Sequence, residues 1–181
     1  MTAALILAAG AGRRMGGPKA LLAFEGETLL RRAARAALEA GCDPVVAVTG
    51  DWDSGLDGLA VRAVVNPVAA EGMASSIRAG IAALPPGAKS VLILTVDQPA
   101  VDESLLRRLL ALAAADPTRP AACAYAGTVG IPAVFPRRLF PDLLPLRGDR
   151  GAKAILLREN TAVLPFPEGA ADLDTPGDLR R

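Results

Sequence analysis

Histidine is absent from the 181 residues. That single absence excludes Ser-His-Asp catalysis, imidazole acid–base chemistry and His-ligated zinc together. Aromatic side chains are scarce, at 3% of a chain that is 51% hydrophobic, so the core has to be assembled from Ala, Val, Leu and Ile. A dominant charge is also missing: 20 basic against 19 acidic side chains leave a formal net charge of +1. No global field steers nucleic acid or an anionic membrane to such a chain, and an anion has to be held by a local constellation. The two cysteines, Cys42 and Cys123, form no CxxC motif, and free thiols in a reducing compartment are expected. The apolar start is short, and Arg13 and Arg14 follow it instead of preceding it, the wrong order for a signal peptide. No uncharged apolar run approaches the roughly 18 residues of a membrane span. A cytoplasmic protein with neither nucleic acid nor membrane as partner is expected.

What is present is an alternation. Residues 3–9 are a short apolar run ending in glycine, the pattern of a buried parallel strand. Residues 28–40 carry Leu and Ala at helical spacing, with Thr28 as cap and Gly41 beyond the end. Strands are expected at 45–49, 61–65 and 90–96, and helices at 72–84 and 102–115, the last capped by Asp102. Such alternation implies βαβ units and a mostly parallel sheet covered on both faces. Beyond Ala115 the pattern loosens into short strands at 121–125 and 131–135 and a helix at 151–158. The fold class is α/β: a Rossmann-like three-layer α/β/α sandwich, mostly parallel, with a mixed C-terminal part, in one domain over residues 1–181.

The loop after the first strand follows Leu7, Ala8 and Ala9 and contains Gly10, Gly12, Arg13, Gly16, Gly17 and Lys19. Glycines let main-chain N–H groups approach an anion closely, and Arg13 and Lys19 supply countercharge for a triphosphate. The G-x-G-x-x-G dinucleotide fingerprint fails by one residue, and a Walker A loop fails at Pro18 and Ala20. Asp97 ends the apolar run 91–96, where a carboxylate is costly unless it is solvated, bonded or paired with a cation. A hard oxygen ligand for Mg²⁺ is favoured there over a helix cap, a role that suits Asp102 better. The segment Gly72-Met73-Ala74-Ser75-Ser76 opens a helix and reads equally as an anion site or as ordinary capping.

These residues carry a resemblance. Leu7-Ala8-Ala9-Gly10 followed by Arg14-Met15-Gly16-Gly17-Pro18-Lys19 is similar to the signature loop of the molybdopterin nucleotidyltransferases. Within them it resembles the molybdenum cofactor cytidylyltransferases. Asn66-Pro67, Glu71 to Ile77, Asp97-Gln98-Pro99, Gly130-x-Pro132, Gly148 to Lys153 and Asp172 to Pro176 resemble further family motifs in order. The family often has Arg and His where Thr128, Val129 and Ile131 stand, and an acidic residue where Gly177 stands.

The resemblance implies a nucleotide-diphospho-sugar transferase-like fold, with a nucleotide-binding half at 1–115 and an acceptor-binding, closing segment at 116–181. It implies transfer of CMP from CTP to the phosphate of molybdopterin, with Mg²⁺ as cofactor and pyrophosphate released. Leu7, Ala8, Ala9, Gly10, Gly12, Arg13, Lys19, Asn66, Ser75 and Asp97 would hold the nucleotide, with Arg13, Lys19 and Asp97 catalytic. Gly72, Met73, Ser76, Gln98, Pro99, Gly130, Pro132, Gly148, Asp149, Gly151 and Lys153 would hold the acceptor. Asp149 and Lys153 read equally as an i,i+4 ion pair. Asp174 would join Asp97 at the metal, with Asp172 as the other candidate. A molybdoenzyme or its chaperone is the expected transient protein partner. Ala9 replaces a glycine usual in the guanylyl branch, and its methyl favours a pyrimidine. GTP as donor, a sugar or polyol phosphate as acceptor, a dinucleotide-dependent oxidoreductase and a non-catalytic nucleotide-binding regulator are the alternatives.

Overall fold

The computed structural model describes residues 1–10, 12 and 17–171. The chain runs β1 (Thr2–Leu7), β2 (Ala23–Phe24), β3 (Glu27–Thr28), α1 (Leu29–Glu39), β4 (Val45–Thr49), β5 (Val61–Val65) and α2 (Met73–Ala83). It continues through β6 (Ser90–Thr95), α3 (Glu103–Ala115), β7 (Ala121–Tyr125), β8 (Thr128–Pro136), α4 (Phe140–Leu143), α5 (Lys153–Arg158) and β9 (Ala162–Pro165). One seven-stranded sheet has the order β5-β4-β1-β6-β8-β7-β9, and β2 pairs with β3 in a separate small hairpin.

Period-two alternation sorts β1 between the two faces. Ala4 and Ile6 pack with Leu30, Ala34 and Leu106 on the side of α1 and α3. Leu5 and Leu7 pack with Ile77, Ile81 and Ile155 on the side of α2 and α5. This is the expected three-layer sandwich, with β1 buried on both faces. β1 pairs in parallel with β4 and with β6, and β4 with β5. The mixed part begins at β8, antiparallel to both β6 and β7, while β9 returns parallel to β7. The chain steps from β1 outward to β4 and β5, then crosses through α2 to β6 on the other side of β1. The carboxyl ends of β1 and β6 therefore flank a topological switch point, where open α/β sheets bind ligands.

Helix ends follow the sequence. The Thr28 hydroxyl accepts from the Arg31 amide at 3.2 Å, and the Asp102 carboxylate accepts from the Leu105 amide at 2.8 Å, caps worth about 1 kcal/mol each. Asp102 thus takes the capping role and leaves Asp97 out of it. Gly80 lets α2 approach β1, because a Cβ there would run into Leu5. Among the described residues the buried apolar core is aliphatic apart from Phe135, Phe140, Phe166 and the two cysteines. Cys42 and Cys123 are free and buried, and burial pushes each thiol up to about 12. Among the described residues no helix is long and apolar enough to cross a membrane.

Candidate active site

At the carboxyl end of β1 the chain leaves the sheet through Ala8, Ala9 and Gly10. Gly12 sits at φ +54°, and a Cβ on it would collide with the Gly17 carbonyl and the Lys19 amide. The loop therefore folds back onto itself only with glycine at this position. That fold delivers Lys19 to a short 3₁₀ turn, Lys19–Leu21. There its Nζ lies 3.8 Å from an Asp97 carboxylate oxygen. Asp97 stands two residues beyond β6, so the pair bridges the switch point. A cavity of about 280 Å³ opens over it, lined by Leu7, Ala8, Ala9, Gly10, Gly12, Lys19 and Asp97. Small residues and main chain dominate this wall, with Lys19 and Asp97 facing in, which suits an anionic ligand carrying a divalent ion.

The opposite wall comes from α2. Gly72, Met73 and Ser76 line the same cavity, and the helix starts at Gly72 without a side-chain cap. Its positive end adds to the preference for an anion. Asn66 and Ser75 sit behind this wall, each at most 3% exposed. The Asn66 amide donates to the hydroxyls of Ser75 and Ser76 at 2.9 and 3.1 Å, and its carbonyl accepts from the Val68 amide. The Ser75 hydroxyl donates to the Gly72 carbonyl at 2.8 Å. Their polar groups hold the end of β5 to the start of α2 and support the first cavity without lining it.

A second cavity of about 230 Å³ adjoins the first across Leu7, Met73 and Asp149, which line both. It is walled mainly by Ile77, Ile93, Tyr125, Val129, Ile131 and Gly130, with Gly151 and Lys153 at one side. Tyr125 is held in place: its hydroxyl donates to the Ile131 carbonyl at 2.8 Å, and its ring meets Phe166 edge-on at 6.3 Å. Gly130 is glycine because a Cβ would strike the Tyr125 hydroxyl.

The expected site residues fall into groups on this frame. Leu7, Ala8, Ala9, Gly10, Gly12, Lys19 and Asp97, read as nucleotide residues, gather around the first cavity. Gly130, Asp149, Gly151 and Lys153 gather around the second, and Met73 faces both. Gly72 and Ser76, read as acceptor residues, line the first cavity, because the crossover helix starts over the β1 end. Gln98 and Pro99 line neither of the two. Gln98 is buried and donates to the Gly169 carbonyl at 3.0 Å, and the Pro99 carbonyl accepts from Arg32 of α1. Both serve the neighbouring structure. Pro132 is buried in β8, and Gly148 packs on Gly72. Arg13, Asp172 and Asp174 lie outside the described residues. Sequence reasoning missed Tyr125, whose signal was only that it is the single tyrosine, next to Ala126 and Gly127 at positive φ.

This arrangement can be set against known proteins. The sequence model of the MobA-like NTP transferase domain matches residues 4–163. The chain belongs to that family. A curated relative, nicotine blue oxidoreductase of Paenarthrobacter nicotinovorans, is 37% identical over 165 residues, covering 84% of this chain and 79% of the relative. Molybdenum cofactor guanylyltransferase of Rhodobacter capsulatus is 31% identical over 185 residues, covering 99% and 93%. Among solved structures, Rv0371c of Mycobacterium tuberculosis H37Rv superposes with TM-score 0.83 at 31% identity, covering 99% of this chain and 96% of that one. The same mycobacterial protein is also solved in complex with manganese. As a member of the family, the chain carries a nucleotidyltransferase fold with a mostly parallel central sheet.

Proposed function

We propose that the protein transfers a nucleoside monophosphate from a nucleoside triphosphate to the phosphate of molybdopterin, releasing pyrophosphate. The observation that carries the reading is the Lys19–Asp97 pair at the switch point, inside a glycine-lined cavity that shares a wall with a larger-residue, apolar one. The first suits a triphosphate, and the second suits an acceptor with a ring body. An acceptor phosphate is already anionic near neutral pH, so attack on the α-phosphorus needs no general base, and the lack of histidine is no obstacle. Lys19 stabilises charge on the departing phosphates, and the two cavities hold attacker and leaving group in line.

Asp97 presents a hard oxygen to the first cavity, and Mg²⁺ needs only one or two protein carboxylates because phosphates and water complete its shell. Asp97 is the proposed ligand, with Asp174 as its proposed partner. Asp97 and Asp174 would hold the ion, which would supply positive charge against the phosphates. The manganese complex of the mycobacterial relative supports a divalent site in this fold.

CTP is the proposed donor. Ala9 is 6% exposed and lines the nucleotide cavity, and its methyl leaves less room beside the base than glycine does. The Rhodobacter relative, named a guanylyltransferase, favours GTP as the second reading. We place the reaction in the cytoplasm, a reading supported by the two unpaired thiols.

The test is label transfer from α-labelled CTP or GTP, with Mg²⁺, to molybdopterin, a sugar phosphate and a polyol phosphate. A parallel arm follows oxidation of NADH with nicotine blue supplied as the hydride acceptor. Label on molybdopterin, with CTP preferred by about 10- to 200-fold, is expected. Preference for GTP overturns the donor assignment. Label on another phosphate overturns the acceptor. NADH oxidation without any label transfer overturns the reaction class and aligns the chain with its oxidoreductase relative.

A further inference from the structure

Residues 144–152 cross from α4 to α5 and carry Asp149, which stands in the wall between the cavities. Arg147, Gly148, Asp149 and Arg150 are all exposed, so burial does little to hold them. Contacts to α2 do. The Ala74 amide donates to the Gly148 carbonyl at 3.1 Å. Gly72, at φ +102°, permits the approach, since a Cβ on it would lie 2.5 Å from the Gly148 carbonyl and 2.6 Å from the Asp149 carboxylate. The last contact is Arg78. One of its guanidinium nitrogens donates to the Leu146 carbonyl at 2.8 Å, and the other donates to the Glu71 carboxylate at 2.9 Å. Arg78 lines neither cavity. Its planar fork joins the turn before α2 to the exposed segment, and a lysine point charge cannot make both bonds in fixed directions.

We propose that Arg78 is a positioning residue for the acceptor, acting through residues 146–149 to fix Asp149 between the two cavities. The inference rests on the transfer reading above for its kinetic half and stands on geometry for its structural half. Glu71 holds Arg78, Arg78 holds Leu146, and the Ala74 bond to Gly148 follows. Among the described residues lining the first cavity, Asp149 alone lies in the segment that Arg78 holds, and Lys19, Asp97 and the glycine loop form the other wall.

The test compares wild type, Arg78→Ala, Arg78→Lys, Glu71→Gln, Asp149→Asn and the Arg78→Ala/Asp149→Asn double variant. Both substrates are varied in steady state, and hydrogen exchange at the Ala74 amide is followed in the ligand-free protein. Arg78→Ala is expected to raise the acceptor KM about tenfold and to leave the nucleotide KM within about twofold, with Glu71→Gln and Arg78→Lys intermediate. The double variant is expected to be no worse than its worse parent, since residues acting through one another do not add. Ala74 exchange is expected to quicken about tenfold in Arg78→Ala. Equal rises in both KM values, additive losses, or unchanged Ala74 exchange would overturn the proposal. If wild type transfers no nucleotide to any acceptor, the transfer reading fails alone, and the exchange measurement still decides whether Arg78 holds the segment. Should Arg78→Ala not fold, Glu71→Gln and Arg78→Lys decide it by the same readouts.

Discussion

The two cavities share a wall but are made of different material. The first is bounded by main chain and by Ala8, Ala9, Gly10 and Gly12. The second is bounded by branched and aromatic side chains, Ile77, Ile93, Tyr125, Val129 and Ile131, drawn from α2, β6 and the β7–β8 hairpin. An anion is held by N–H groups and fixed charge, which require small residues at set spacing. A ring is held by shape, which many side-chain combinations supply. The first cavity is thus constrained residue by residue, and the second only in volume and polarity.

Substitutions that separate the cavities test this contrast. The largest effect is expected from Asp97→Ala, which removes the proposed metal ligand: cation-dependent transfer should fall about 10³-fold or more. Pyrophosphate release titrated with Mg²⁺ measures it, and an unaltered response to the ion would take Asp97 out of the site. Lys19→Ala comes next, with kcat/KM lower by about 10²-fold and the acceptor KM nearly unchanged. A loss seen only in the acceptor KM would mean that the cavities do not divide the substrates. Lys153→Ala belongs to the second cavity and should raise the acceptor KM about tenfold through loss of a charge-assisted contact. Nucleotide binding by calorimetry should not register it. Asn66→Ala should have the smallest kinetic effect. It leaves the buried hydroxyls of Ser75 and Ser76 short of a partner, and urea unfolding should show a loss of about 1–3 kcal/mol. A tenfold rise in nucleotide KM there would return Asn66 to the ligand's surface.

The same contrast explains what was legible beforehand. β1, β4 and β6 announce themselves because a strand buried on both faces is a continuous apolar run, whereas β5, the partly exposed edge strand, is signalled by Val61, Ala63, Val64 and Val65 around Arg62. α1 and α3 are bounded by caps that the structure confirms, at Thr28 and Asp102. The β2–β3 hairpin escaped notice because each strand is two residues long and its turn places Glu25, not a usual left-handed residue, at φ 51°. β8 starts three residues before the apolar run that signals it, carried there by the Ala126-Gly127 turn. β9 is four residues ending in proline and has meaning only as a neighbour of β7. In the site, the glycine loop, Lys19 and Asp97 were readable as a pattern of types. The structural duties of Asn66, Ser75 and Gln98 were not, because a motif says that a polar residue is needed and not which way its amide turns. Tyr125 was invisible for the opposite reason, since its role comes from β7 lying two strands away from β6.

The contact between Lys19 and Asp97 has a thermodynamic corollary. In the ligand-free protein each group spends part of its field on the other, an attraction worth about 1 kcal/mol or less at a partly solvated site. On the proposed reading, a polyphosphate arriving alone draws the ammonium away and leaves the carboxylate looking for a new countercharge, while a divalent ion arriving alone does the reverse. Each visitor therefore prepares the ground for the other, and linkage requires the two enhancements to be equal in size.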